Sequence, residues 1–226
     1  MKKLLLLFTC ILTLQAAFAQ NDKETLQRGR ERVQQELDPA PQSILSPLNE
    51  KNIVALLPGS REQEVAKKLP VMLEVSRQFP DHRFIIAKAP SLDDAFYDKF
   101  MSSYQNVRSI RNKTYELLMK AKAALVTSGT ATLETALFGV PQVVCYKGSV
   151  ISYQIAKRLI KVKYISLVNL IMNREIVKEL IQAEFTPEKV SIEVRKITSD
   201  AAIIHKIRND YSELKLSHFL DKLNLT

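Results

Sequence analysis

The chain is poor in the residues that mark several specialised classes. Of its 226 residues only 5 are glycine and 9 proline, which excludes collagen-like and low-complexity chains. Two cysteines, Cys10 and Cys145, build neither a disulfide framework nor a thiolate-only zinc site. The three histidines, His82, His205 and His218, stand in dissimilar contexts without ligand spacing, and no Asp-x-Asp occurs, so each histidine reads as a surface residue. Aromatic residues are 7% of the chain and do not interleave with the basic ones, which argues against nucleic-acid binding. No charge interrupts Leu4 to Ala19, but that stretch is shorter than the roughly 20 residues that span a bilayer core.

What is present is an ordinary globular mixture, 46% hydrophobic and 25% charged, with a net charge of +9 that suits an anionic partner. Nucleic acid, acidic lipid and phosphorylated substrate all satisfy that charge, and composition does not choose among them.

Residues 1–19 read as a signal-peptide-like segment: Lys2 and Lys3, then an apolar run from Leu4 to Leu14, then Ala17-Phe18-Ala19 as a small-x-small cleavage site. An uncleaved membrane anchor is the other reading. Acylation at Cys10 is disfavoured, because Leu7-Phe8-Thr9 lacks the small residues expected before such a cysteine. Loss of the segment leaves Cys145 alone and permits no intrachain disulfide. Residues 20–51 read as a polar linker, with a charged helix candidate at Glu24 to Leu37 and prolines at 39, 41 and 47. The folded domain is expected over 52–226.

From Asn52 onward short apolar runs alternate with amphipathic stretches. Strands are expected at Ile53–Leu57, Arg83–Ala87, Val107–Ile110, Ala123–Thr127 and Gln142–Tyr146. Helices are expected between them, at Glu62–Phe79 with a break at Pro70, Leu92–Met101, Tyr115–Lys122 and Thr130–Phe138. Buried parallel strands joined by crossover helices define an open α/β sheet of Rossmann-like type. Beyond Val150 the chain reads as mostly helical, with Ile203, Ile204, Ile207, Tyr211, Leu214 and Leu216 at partly helical spacing near its end. That stretch is expected to pack on the sheet or across to a second domain, or to dimerise.

Ligands of such sheets bind at the carboxyl ends of the strands. Two strand ends carry glycine and hydroxyl residues. In Leu56-Leu57-Pro58-Gly59-Ser60-Arg61, Gly59 permits close backbone approach, Ser60 caps or donates, and Arg61 offers a charged planar fork at a helix start that favours anions. A plain glycine turn with a surface arginine is the equally weighted reading. In Thr127-Ser128-Gly129-Thr130-Ala131-Thr132-Leu133-Glu134 the corner is again strand, glycine and helix start, and Glu134 falls about one turn into the helix, within reach of sugar hydroxyls. The alternative is a capped helix with a half-buried glutamate. Together the two corners supply the several donors that a diphosphate needs.

These two runs resemble the signatures of bacterial lipid-A-disaccharide synthase. So do Pro141–Tyr146, Ala156–Leu159, Tyr164–Leu170 and Arg174–Leu180, in the same order and spacing over roughly Asn52 to Leu223. The resemblance implies the nucleotide-binding, C-terminal half of an inverting glycosyltransferase of the GT-B type. That family moves 2,3-diacylglucosamine from UDP to 2,3-diacylglucosamine 1-phosphate and releases UDP, forming the β-1,6 disaccharide of lipid A. The chain's partners are then a UDP-diacylglucosamine donor, a lipid monosaccharide phosphate acceptor and a membrane surface touched peripherally. A separately encoded N-terminal half or a second copy of the chain completes the list. No cofactor or metal is implied.

By the same resemblance Gly59, Ser60 and Arg61 contact the diphosphate, Ser128, Gly129 and Thr130 surround the phosphates, Glu134 holds the ribose, and Asn169 faces the donor. Arg61 is the expected catalytic residue, neutralising charge on departing UDP. The family's base belongs to an N-terminal domain with no counterpart among the fifty or so residues before Asn52, so no base is assigned here. Such enzymes work at the cytoplasmic face or peripherally on the inner membrane, whereas the signal-like start points outward. An exported, non-catalytic nucleotide-sugar-binding module is the rival expectation. Lys157, Arg158, Lys161 and Lys163 form a basic cluster, either a contact for anionic lipid or a solvated helix face. Cys145, inside an apolar run, reads as core.

Overall fold

Five apolar residues in a row, Ile53–Leu57, make strand β1, and all five are buried. A strand presents alternate residues to opposite faces, so an unbroken apolar run has to be covered on both sides. Val54 and Leu56 join one apolar cluster, while Ile53, Ala55 and Leu57 join a second on the other face. β4 (Ala123–Val126) divides the same way, with Ala123 and Leu125 in the first cluster and Ala124 and Val126 in the second. The computed structural model that yields these contacts describes residue 48 and residues 50–127, 129–148 and 163–222. The signal-like segment 1–19 and nearly all of the expected linker 20–51 lie outside the described residues.

Strands β2 (Arg83–Lys88), β3 (Val107–Arg111), β5 (Gln142–Tyr146) and β6 (Lys178–Ile181) complete one six-stranded sheet in the order β3-β2-β1-β4-β5-β6. Every pairing is parallel. The chain winds outward from β1 to β3, then crosses to β4 and winds the other way. That reversal, between β1 and β4, is the place where doubly wound sheets open a crevice at their carboxyl ends. The expected Rossmann-like open parallel sheet with flanking helices is what forms.

Helix α1 (Glu62–Ser76) packs Val65, Leu69, Met72 and Leu73 onto the sheet. It runs unbroken through Pro70, contrary to the expected break. Pro70 and Ala66, whose carbonyl loses its partner, are both exposed, so water satisfies the freed group while the opposite face stays packed. Helices α2 (Asp94–Met101), α3 (Thr114–Lys120) and α4 (Thr130–Leu137) fall within a few residues of their expected positions. α2 is capped by the Asp93 carboxylate, which accepts from the Phe96 N–H at 2.7 Å.

Beyond the sheet centre lie the short α5 (Leu167–Ile171), then β6, α6 (Pro187–Ser199) and α7 (Ala201–Lys222). β6 was not expected. α7 buries Ile207, Tyr211 and Leu214 while Leu216 stays exposed, and the buried Gln142 donates to the Tyr211 hydroxyl at 3.1 Å. Thus α7 packs against the start of β5. Ordered packing also reaches back past Asn52: Leu48 is 2% exposed within the second apolar cluster. Among the described residues no helix is long and apolar enough to cross a membrane.

Candidate functional site

The crossover between β1 and β4 places the two glycine corners side by side. Thr127, just past β4, donates its N–H to the Leu57 carbonyl at 3.1 Å, which keeps the two strand ends in step. Beyond Leu57 the chain turns at Gly59, whose φ of +114° suits glycine and strains any other residue. A side chain there would also crowd the Glu64 carboxylate, since a Cβ would lie 2.9 Å from Oε2. Beyond Thr127 the chain turns at Gly129, with φ +124° but open space above it. Glycine is therefore required at 129 by the backbone alone, and at 59 by the backbone and by the neighbour. Each corner opens a helix: Arg61 precedes α1 and Gly129 precedes α4. Neither helix start has a side-chain cap, which leaves those N–H groups for an incoming anion.

Between the corners lies a cleft of about 480 Å³. Gly59, Ser60 and Glu64 line it from the β1 side, and Gly129, Thr130 and Glu134 from the β4 side. Its far wall comes from the ends of β2 and β3, as Lys88, Pro90 and Thr114. The β1 corner is braced to that wall, because the Ser91 hydroxyl donates to the Ser60 carbonyl at 3.1 Å. Lys88 is fixed by Asp94 at 2.9 Å and lies 5.6 Å over the Tyr97 ring. Arg111 also reaches Asp94, at 2.8 Å, and the two cations, Arg111 above all, hold the Asp94 carboxyl down at about 2. Wall residues of this kind were missed by sequence reasoning. Lys, Pro and Thr are common types, and only the topology brings them to the crevice.

Glu134 is the most informative member. Burial raises its pKa, and among the described residues its carboxylate has no hydrogen-bond or ion-pair partner. A half-buried acid facing a cleft with both oxygens free is poorly explained by folding. It is suited to accept from the vicinal hydroxyls of a sugar.

A family model for lipid-A-disaccharide synthetase matches residues 34–222. The chain belongs to that family. The lipid-A-disaccharide synthase of Syntrophus aciditrophicus is 40% identical over 178 residues, which cover 76% of this chain and 45% of that protein. That of Geobacter sulfurreducens is 36% identical over 170 residues, 73% of this chain and 44% of that protein. The chain therefore spans less than half the length of these curated relatives. Among solved structures, CalG4, the calicheamicin glycosyltransferase, superposes with a TM-score of 0.55 at 15% identity, over 80% of this chain and 43% of that one. The glycotransferase of kitacinnamycin gives 0.54 at 14% identity, over 80% and 42%. These likenesses establish the fold, a Rossmann-like half of GT-B type.

Within this lipid-A-disaccharide synthetase half, the residues expected at the site separate into groups. Gly59, Ser60, Gly129, Thr130 and Glu134 share the cleft. Arg61 stands at its lip, 83% exposed, with Nη1 3.6 Å from Glu64 Oε1. Ser128 lies outside the described residues, as do Lys157, Arg158 and Lys161 of the basic cluster; Lys163 lies 5.1 Å over the Tyr164 ring.

Asn169, expected to face the donor, does not. Its side chain is fully buried, its Oδ1 accepting from the N–H groups of Ile176 and Val177 and its Nδ2 donating to the Val177 carbonyl and to Glu179. Every hydrogen-bonding position of the amide is used internally, so here it organises the turn before β6.

Cys145 is buried and its thiol pKa is pushed up by that burial, as suits a core residue. His82 is half-buried rather than on the surface, edge-on to Phe79 at 5.6 Å, while His205 is exposed and shares a contact with Asn209 at 3.2 Å. No group of three or more His, Cys, Asp or Glu side chains among the described residues can hold a metal ion.

Proposed function

We propose that this chain is the nucleotide-sugar-binding half of a lipid-A-disaccharide synthase. In this reading it holds UDP-2,3-diacylglucosamine while the sugar passes to 2,3-diacylglucosamine 1-phosphate and UDP departs. The observation that carries the reading is the cleft at the reversal point of the sheet. There, two uncapped helix starts at Gly59–Arg61 and Gly129–Thr130 face a carboxylate, Glu134, whose oxygens are free. Diphosphate and ribose make complementary demands, anion donors on one side and a hydroxyl acceptor on the other, and this cleft offers both.

In the transition state, negative charge grows on the β-phosphate oxygen as the anomeric C–O bond breaks. The backbone N–H groups at the two helix starts are fixed in place before that charge appears, which is the preorganisation that lowers such barriers. Arg61 at the lip swings from Glu64 onto the phosphate. Both sugars in this reading are lipids, so the reaction runs at a membrane surface on the cytoplasmic side, where UDP-sugars are made. The acceptor pocket and the base come from the other half of the enzyme.

Titration calorimetry with UDP tests the reading. Folded protein is expected to bind UDP, and no heat at millimolar UDP would refute the site. Arg61→Ala is expected to weaken UDP binding about tenfold. A hydrogen bond to a charged group is worth roughly 1.5–3 kcal/mol, and the exposure of Arg61 puts it at the low end. Unchanged affinity would remove Arg61 from the site.

A further inference from the structure

Glu64 is an acid where the proposed ligand is itself an acid. It lies in the first turn of α1 and lines the cleft. Its carboxylate rests against the Gly59 corner, so close that a Cβ on Gly59 would come within 2.9 Å of Oε2. The Arg61 guanidinium 3.6 Å away is its ion-pair partner, loosely placed and 83% exposed. Lys68, one turn farther along α1, is 4% exposed, lies 5.8 Å over the Tyr146 ring and feels the Glu64 charge without forming an ion pair with it. When Arg61 turns to a phosphate, the Glu64 charge is left facing the same phosphate at the corner.

We propose that Glu64 discriminates product from substrate, disfavouring the terminal phosphate of UDP relative to the internal phosphate of the sugar-linked donor, and so promotes UDP release. This rests on the nucleotide-sugar reading of the cleft. In the donor each phosphate carries one negative charge. In the transfer the acceptor oxygen bonds to the anomeric carbon, and the anomeric C–O bond breaks with its electron pair passing to the β-phosphate oxygen. The hydroxyl proton passes to the base supplied by the other half of the enzyme and from it to solvent. The β-phosphate is then terminal and carries about −1.5 to −2 at neutral pH. The added charge appears next to Glu64, at a distance where one further unit of like charge weakens binding by roughly tenfold or more. The same repulsion opposes the partial charge of the transition state, which Arg61 and the helix-start N–H groups offset, and acts in full on UDP, whose release it speeds.

The experiment is calorimetric titration of the wild-type protein and Glu64→Gln with UDP and with UDP-N-acetylglucosamine. For Glu64→Gln the UDP Kd is expected to fall about tenfold, with a change below about threefold for the sugar-linked nucleotide. Equal changes for the two ligands, or a loss for both, would overturn the proposal and leave Glu64 as a brace for the corner. Thermal unfolding checks that the variant is folded; Glu64→Ala, which also removes the charge, gives the same comparison if the glutamine variant is not. Absence of UDP binding by the wild type would defeat the nucleotide reading, and this inference with it. Normal wild-type binding with an unchanged UDP-to-donor ratio would defeat this inference alone.

Discussion

Glu179→Ala is expected to lower the unfolding free energy by about 3–5 kcal/mol, near the top of the range for single substitutions. The Glu179 side chain is buried, and its carboxylate accepts four hydrogen bonds. These come from the N–H groups of Ile165 (2.9 Å) and Ser166 (3.0 Å), the Ser166 hydroxyl (2.7 Å) and the Asn169 amide (2.8 Å). Alanine strands all four donors, and each buried, unpaired donor costs about 1–3 kcal/mol. Water entering the vacated space recovers part of the loss, which sets the total below the simple sum. Urea unfolding followed by circular dichroism measures it as a lower midpoint at unchanged slope. Asn169→Ala is expected to be similarly damaging, because Asn169 joins the segment entering α5 to the turn before β6. The double variant should cost clearly less than the two singles added, since both remove one network. A loss under about 1 kcal/mol for Glu179→Ala would mean that this network does not hold the segment.

The same residues explain what could be read from the sequence and what could not. β1 and β5 are legible to the residue because a central parallel strand must be apolar on both faces, and Ile53–Leu57 and Gln142–Tyr146 stand out against their polar surroundings. β6 is hidden because it is an edge strand, Lys178-Glu179-Leu180-Ile181, with two charges in four residues. Its glutamate points inward only because a loop supplies donors for it, which no local pattern announces. Pro70 reads as a stop because proline removes a helix bond, yet what decides its cost is whether the freed carbonyl faces solvent.

At the site, glycine followed by hydroxyl residues at a strand end is a local signature, so both corners were legible. The destination of a side chain is another matter. Arg61 and Asn169 both have the chemistry to hold a nucleotide. Arg61 reaches only the cleft lip, and Asn169 turns to the backbone of Ile176 and Val177, residues fixed in place by the packing of β6. Glu64 went unnoticed because a first-turn glutamate is the ordinary complement to a helix dipole.

Glu134 carries the other large effect, and its two consequences have opposite signs. Burial raises its folded-state pKa, so the folded protein keeps the proton to higher pH than the unfolded chain does. Between the ordinary carboxylate pKa and the raised one, the folded state binds more protons, and stability falls as pH increases through that window. At neutral pH the ionised Glu134 is therefore a net burden on the fold. Glu134→Gln is expected to raise the urea midpoint at pH 7.5 and to remove the fall in stability between the ordinary carboxylate pKa and the raised one. For the nucleotide the sign reverses. Two sugar hydroxyls donating to one carboxylate form charge-assisted bonds worth roughly 1.5–3 kcal/mol, so Glu134→Ala is expected to weaken UDP binding about 30–100-fold. Glutamine keeps one acceptor and should fall between alanine and wild type. Removing the 2′-hydroxyl from the ligand should then weaken binding to the wild type far more than to Glu134→Ala. A stabilised variant that binds UDP as before would separate Glu134 from the ligand. A destabilised glutamine variant would show that the carboxylate serves the fold. The combination of a gain in stability with a loss of affinity is what a residue kept for binding at the expense of folding predicts.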